Sequence, residues 1–262
     1  MDPGLHSPLI DFFRRGEVAR DVRLLAAQGA LAPRAHEQLG LLMVLVADPD
    51  PEIARIAEST IAAIPRESLS TFLARSDAPT EMRTFFSARG IEPAAVAAPT
   101  TEEPLVEVPD EAAPGSTAVE GEVAEEDERS VLQKIAAMTV AQRLTRAIKG
   151  SREERAILIR DPNKIVAVGV LSSPKVSETE VESFAKMANV SEEILRIIAG
   201  TRAWVKSYAI VSALTRNPKT PVALSMNLLM RLNDRDLRQL TTDRNVPDVL
   251  RLTARKKLKN EK

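Results

Sequence analysis

Apolar residues recur at the spacing of an α-helix along most of the chain. Between residues 35 and 46 they fall at i, i+3, i+4 and i+7, and so lie on one helix face. They are Leu39, Leu42, Met43 and Val46. The pattern continues over 51–64, after Asp50 as N-cap and Pro51 as first helical residue. No strand pattern competes with these, so the sequence predicts an all-α protein.

Helix-terminal residues indicate where the other helices begin and end. Thr139, Ser151 and Ser177 are each followed three residues later by Gln or Glu, which is the spacing of a capping box. Gly90 is a typical residue after a helix C-terminus. These signals and the apolar spacing predict helices at 67–75, 78–89, 130–138, 140–149, 152–160, 163–172, 178–188, 191–199, 202–216, 221–231, 234–242 and 247–258.

The N-terminal helices resemble a known repeat family. One helix is followed by the run Asp-Pro-Asp-Pro-Glu-Ile at 48–53, and Ala57 and Ile61 then lie in the second helix. Over residues 33–64 this arrangement resembles a HEAT-type helical repeat. The resemblance implies a helical module at 1–92 whose stacked helix pairs offer a surface to other proteins.

The C-terminal half aligns with itself when it is shifted by 56 residues. The matched pairs include Leu158 with Leu214, Arg160 with Arg216, Pro162 with Pro218, and Asn189 with Asn245. The run Leu-Thr-Arg-Asn-Pro-Lys-Thr-Pro-Val at 214–222 is similar to the turns of variant leucine-rich repeats, an all-helical solenoid family. That resemblance covers 151–258 and implies a second helical-repeat module at 129–262.

The whole chain resembles bacterial proteins that pair two such modules across a linker. We therefore expect two α-solenoid-like modules joined by a disordered acidic linker at 93–128. This stretch has 11 carboxylates, no basic residue and no aromatic residue. It cannot bury enough apolar area to offset the entropy lost on ordering.

The formal net charge of -1 results from a cancellation. Residues 1–128 contain 10 Arg, no Lys and 24 acidic residues, which gives -14. Residues 129–262 contain 26 basic and 13 acidic residues, which gives +13. A basic half of this kind attracts phosphates or acidic partners. We also expect the linker to lie transiently on the basic module and screen its charge.

Few residues suit catalysis or metal binding. The sequence has no Cys and only two histidines, His6 and His36. The lack of Cys excludes disulfides, thiolate nucleophiles and Cys-ligated metals. No glycine-rich phosphate loop is present, and the acidic run at 125–128 lacks the spacing of an EF-hand. We expect no enzymatic activity, no cofactor and no metal. Hydrolase or transferase activity at an unrecognised carboxylate site is the alternative.

The longest apolar run, 39–47, is too short to span a membrane, and the first residues show no secretory pattern. We therefore expect a cytoplasmic protein without a membrane partner.

Basic and aromatic side chains are the candidates for partner binding. Some of the basic ones line one side of two predicted helices and Lys256 and Lys257 flank the second group; a solvated face is the alternative interpretation. Trp204 and Tyr208 are four residues apart on the helix predicted at 202–216, so they would share a face, either buried in the core or exposed as an interface. The full set is Arg143, Arg146, Lys149, Trp204, Tyr208, Arg251, Arg255, Lys256, Lys257 and Lys259.

These observations favour a non-enzymatic scaffold or adaptor that binds other proteins through helical repeats. The alternative is a nucleic-acid-binding protein that uses the basic C-terminal module.

Overall fold

The computed structural model describes residues 7–32, 34–96, 104–106 and 125–260, with the backbone alone at 125–130 and 260. In these ranges all regular secondary structure is helical, with sixteen α-helices, one short 3₁₀ helix and no strand. The all-α prediction is confirmed.

The helices follow one another through short connections in most of the described ranges. In chain order they are α1 (Pro8–Arg14), α2 (Arg20–Ala27), α3 (Ala35–Leu45), α4 (Pro51–Ala63), α5 (Arg66–Leu73), α6 (Thr80–Ser87), α7 (Glu125–Ala136), α8 (Val140–Lys149), α9 (Arg152–Leu158), α10 (Lys164–Ser172), α11 (Glu178–Lys186), α12 (Glu192–Gly200), the 3₁₀ helix (Trp204–Lys206), α13 (Tyr208–Arg216), α14 (Val222–Leu229), α15 (Asp234–Leu240) and α16 (Asp248–Asn260).

Side-chain caps fix many of the helix starts. The capping boxes predicted at Thr139 and Ser177 are present, and Ser151 exchanges the same two hydrogen bonds with Glu154. Asp50 caps α4, because its Oδ1 accepts the Glu52 N–H at 3.0 Å. Each of these caps satisfies backbone N–H groups that the first turn leaves without a partner.

The chain divides into two compact units. The first comprises Met1–Arg155 and Asn163–Pro174, and the second comprises Ala156–Pro162 and Lys175–Lys262. Helices α8 and α10 therefore belong to the first unit, although the sequence-based division assigns them to the C-terminal module. The division into 1–92, 93–128 and 129–262 remains a prediction, and its boundaries differ from those of the two compact units.

Most of the predicted linker, at 97–103 and 107–124, lies outside the described residues. Its last four residues were expected to be disordered, but they form the first turn of α7, which begins at Glu125.

In the first unit, α1 packs on α3 and α10, α2 on α3 and α4, and α8 on α10. The large buried side chains of this unit include Leu9, Ile10, Phe12, Leu39, Leu42, Ile53 and Phe86. Helices α8 and α10 approach closely at Gly169, where an added Cβ would lie 2.4 Å from Leu144 Cδ1.

In the second unit, α11, α12 and the 3₁₀ helix pack around α13, and α14 and α15 pack on α16. Helices α13, α15 and α16 begin 56 residues after α9, α11 and α12, which is compatible with the 56-residue shift in the sequence. Two apolar pairs that the shift aligns, Val181 with Leu237 and Phe184 with Leu240, are all buried.

Candidate functional site

A pocket of about 690 Å³ lies in the second unit, between α11, α13 and α15. Its lining combines carboxylates, cations, amides and small apolar residues. The lining residues are Glu182, Lys186, Ala188, Tyr208, Ala209, Ser212, Ala213, Arg216, Asn217, Pro218, Asp236, Asp243 and Asn245. This volume lies within the range of ligand-binding pockets, about 300–1,000 Å³.

Tyr208 is the aromatic side chain of this pocket. It is the first residue of α13 and is 41% exposed. Its hydroxyl donates a hydrogen bond to Asp236 Oδ2 and accepts the Asn233 N–H at 3.2 Å. Asn233 is the N-cap of α15 and also accepts the Asp236 N–H at 2.8 Å. The start of α15 thus holds the tyrosine ring in one orientation while part of the ring stays accessible.

Partial burial raises the pKa of Tyr208 above its usual value of 10.0, and the hydrogen bond to Asp236 raises it further. Both effects disfavour the tyrosinate, because the anion would lose solvation and face a carboxylate. Tyr208 is therefore a neutral hydrogen-bonding side chain at physiological pH.

Arg216 and Asp236 form the charged centre of the pocket. Arg216 Nη2 lies 2.6 Å from Asp236 Oδ1 and donates a second hydrogen bond to Gln239 Oε1 at 2.8 Å. A second ion pair joins Lys186 Nζ to Glu182 Oε1 at 2.5 Å on α11. The pocket therefore presents both signs of charge at fixed positions within a lining whose surface is mostly apolar.

Asn217 lines the pocket and joins the end of α13 to the end of α11. Its Nδ2 donates to the carbonyls of Ala185 at 2.7 Å and Met187 at 3.0 Å, at the C-terminus of α11. Its Oδ1 accepts the Lys219 N–H at 3.0 Å. The buried amide therefore satisfies carbonyls that the last turn of α11 leaves without helical partners.

The prediction that Trp204 and Tyr208 share one helix face is wrong. Trp204 lies in the 3₁₀ helix, which ends at Lys206, and Tyr208 opens α13 after the extended residue Ser207. The change of direction at Ser207 takes the two aromatic rings out of the i, i+4 relation. Of the two, only Tyr208 lines the pocket.

The basic residues of α16 largely contact the protein itself. Lys257 Nζ donates to the Met230 carbonyl at 2.7 Å, where α14 ends, and Arg255 Nη2 donates to the Thr241 carbonyl at 3.2 Å, where α15 ends. Arg251 pairs with Asp248 one turn earlier. Cations at helix C-termini are stabilising. The exposed basic side chains of this set on α16 are Arg255, Lys256 and Lys259.

The basic residues of α8 lie in the first unit. Arg143 is half-buried, and its Nη1 donates to the Met138 carbonyl at 3.0 Å. Arg146 lies 3.6 Å from the Glu154 carboxylate, and Lys149 is exposed. Arg143 and Arg146 therefore contact residues just before and just after α8, and Lys149 is the exposed basic side chain of this group.

Sequence reasoning missed Arg216, Asn217 and Asp236 as site residues. Arg216 and Asn217 belong to the turn that aligns with 160–161 in the shifted repeat, which is the one signal that singled them out. Asp236 is 20 residues from Arg216 and 28 from Tyr208, and no local pattern connects them.

Within the described residues, no cluster of three or more His, Asp or Glu side chains could hold a metal ion. None of the described helices is both long and apolar enough to cross a membrane. Of the two histidines, His36 lies half-buried on α3 and His6 lies outside the described residues.

No protein-family model matches this chain, and comparison with curated proteins and with solved structures finds no similar protein. The HEAT-like and variant leucine-rich-repeat resemblances therefore stay predictions.

Proposed function

We propose that this chain is a protein-interaction module, and that the pocket around Tyr208 receives a peptide segment of the partner. The single observation that carries the proposal is the exposed tyrosine ring, which Asp236 and the α15 N-terminus fix beside Arg216. Tyrosine and arginine are among the residues that contribute most binding energy at protein interfaces. A ring already held in one rotamer loses little entropy on binding.

The composition of the lining supports a binding role over a catalytic one. Ser212 is the one hydroxyl nucleophile of the lining besides Tyr208, and the lining contains neither imidazole nor thiol. Serine needs an adjacent base to become nucleophilic. The paired charges instead provide donors and acceptors for the backbone and side chains of a peptide.

Selection from a random peptide display library tests the proposal, because it presents the pocket with peptides of every sequence. Peptides selected by the full chain are measured against Tyr208→Ala and against Val222→Ala, a control at an exposed apolar residue outside the pocket lining. We expect Tyr208→Ala to weaken binding by about tenfold or more, as for an interface hot spot, and Val222→Ala by less than about twofold. Equal effects of the two substitutions, or no enriched peptide, would count against the proposal.

Nucleic-acid binding by the C-terminal part is the second candidate, supported by the exposure of Lys256 and Lys259. Each phosphate contact contributes a slope of about -0.9 to log K against log salt for duplex DNA. If these two lysines contact phosphates, Lys256→Gln with Lys259→Gln reduces the slope by about two. An unchanged slope, or no binding to DNA or RNA at low salt, would exclude this use of α16.

A further inference from the structure

A short piece of the acidic stretch packs within the first unit. Residues 104–106, Pro-Leu-Val, are half-buried and contact α3 and the end of α2. This contact is separate from the pocket of the second unit and does not depend on the function proposed for it. The sequence-based expectation for 93–128 was a solvated tether, so these contacts require their own explanation.

One buried side chain makes three hydrogen bonds to this segment. Gln38 on α3 is 1% exposed. Its Oε1 accepts the N–H groups of Leu105 at 2.8 Å and Val106 at 3.0 Å. Its Nε2 donates to the carbonyls of Val106 at 3.0 Å and Gly29 at 2.9 Å. A side-chain amide has two donor hydrogens and two acceptor lone pairs, so Gln38 is fully satisfied.

The surface beneath Val106 is shaped by a glycine. Gly29 follows α2 with φ +78°, and a Cβ at that position would lie 3.4 Å from Val106 Cβ. The same Cβ would lie 3.4 Å from Thr60 Cγ2 on α4, and Thr60 Oγ1 donates to the Ala27 carbonyl at 2.7 Å. The left-handed conformation favours glycine, and the absence of a side chain leaves room for the valine.

We propose that Gln38 and Gly29 form a binding site for an aliphatic peptide in a bent conformation, and that the chain's own residues 104–106 are its resident ligand. The side-chain amide of Gln38 recognises the peptide through main-chain groups, and the surface at Gly29 accepts a β-branched side chain. A partner segment of the same chemistry, an aliphatic pair flanked by carboxylates as in the sequence of 102–107, competes with the resident one. Because the resident segment is tethered, its effective concentration is on the order of millimolar.

Amide hydrogen exchange tests the resident contact in the full chain. The Leu105 and Val106 amides are expected to exchange at least about tenfold more slowly than in the free peptide, because both are donated to Gln38. Val106→Pro removes one of the two donors and is expected to abolish protection of the Leu105 amide. Val119→Pro makes the same chemical change elsewhere in the stretch and leaves that protection intact. Unprotected Leu105 and Val106 amides in the wild-type chain would overturn the proposal.

Binding in trans tests the site itself. The probe is a fluorescent peptide of residues 102–109, Glu-Glu-Pro-Leu-Val-Glu-Val-Pro. It is expected to bind the Val106→Pro chain at least about tenfold more tightly than the wild-type chain, because the resident segment no longer competes. Adding Gln38→Met, which preserves side-chain length, removes that binding. Equal affinity for both chains, or binding that survives Gln38→Met, contradicts the proposal.

Two further outcomes are decisive. A concentration-dependent dimer of the wild-type chain that Val106→Pro abolishes would make a second copy the occupant and overturn the intramolecular assignment. If Gln38→Met unfolds the first unit, seen as loss of helical circular dichroism, the exchange comparison still decides, because it alters no residue of the site.

Discussion

Asn217→Ala removes three hydrogen bonds, two of them to carbonyls at the C-terminus of α11. Asn217 Nδ2 donates to the carbonyls of Ala185 and Met187, and its Oδ1 accepts the Lys219 N–H. The bond to Ala185 is buried, whereas Lys219 is exposed and its N–H can turn to water. The substitution therefore leaves two carbonyls without their donors, one of them inside the protein.

The expected loss of stability follows from these carbonyls. A buried polar group left without a partner costs about 1–3 kcal/mol, and a half-buried one costs about 1 kcal/mol. We expect Asn217→Ala to lower the free energy of unfolding of the second unit by about 3 kcal/mol. With a urea m-value of about 1.5 kcal/mol/M, the unfolding midpoint falls by about 2 M.

Trp204 makes the measurement specific. It is the one tryptophan of the sequence and lies in the second unit, so its fluorescence during urea unfolding reports on that unit. The matched control is Asn245→Ala, at an exposed asparagine, with an expected change of less than about 0.5 kcal/mol. If the two variants unfold at the same urea concentration, Asn217 does not hold α11 in the way its contacts indicate.

Three further predictions address other contacts. The absorbance of Tyr208, the one tyrosine of the sequence, should titrate above pH 10 and move back toward 10 in Asp236→Asn. Because folding raises the pKa of Tyr208, the stabilisation that comes from the neutral tyrosine is present below pH 10 and is lost as pH rises through the folded pKa. An unmoved titration midpoint of Tyr208 in Asp236→Asn would contradict the contribution of Asp236 to the raised pKa. Lys257→Met should lower the free energy of unfolding by about 1 kcal/mol, as measured by tryptophan fluorescence during urea unfolding. The same decrease in the control Lys256→Met would show that the carbonyl contacts of Lys257 do not stabilise the protein. Gly169→Leu should cost at least about 2 kcal/mol in a circular-dichroism melt, through overpacking of α8 against α10, and an unchanged melting temperature refutes that packing.

The helices were predictable because their signals are local. Apolar spacing and capping residues act within a few positions, and Ser177, Thr139 and Asp50 cap as their sequence context predicts. The break at Ser207 was not predictable in this way, because 202–216 contains no Pro or Gly and Ser207 makes no side-chain cap bond to α13. Packing around α13, and not local helix propensity, therefore sets the extended conformation of Ser207.

The candidate sites depend on contacts that are distant in sequence. Tyr208 meets Asp236 across 28 residues, and Gln38 meets Leu105 and Val106 across 67 and 68. Gln38 gave no sequence signal, since a lone polar residue beside the apolar run 39–47 is typical of an exposed helix position. The charge pattern was misleading in a different way, because Lys257 contacts main-chain carbonyls and contributes less to an open basic face than its charge indicates.

The contact at Gln38 has a consequence for how this segment can change over evolutionary time. Gln38 bonds the amides of Leu105 and Val106 and the carbonyl of Val106, all of them main-chain groups that nearly every amino acid supplies. Substitutions at these two positions can therefore accumulate without loss of the hydrogen bonds, provided that neither becomes proline. Related chains can therefore retain the docked segment even where the sequences of their linkers have diverged. We expect Gln38 and Gly29 to be the retained positions in such chains.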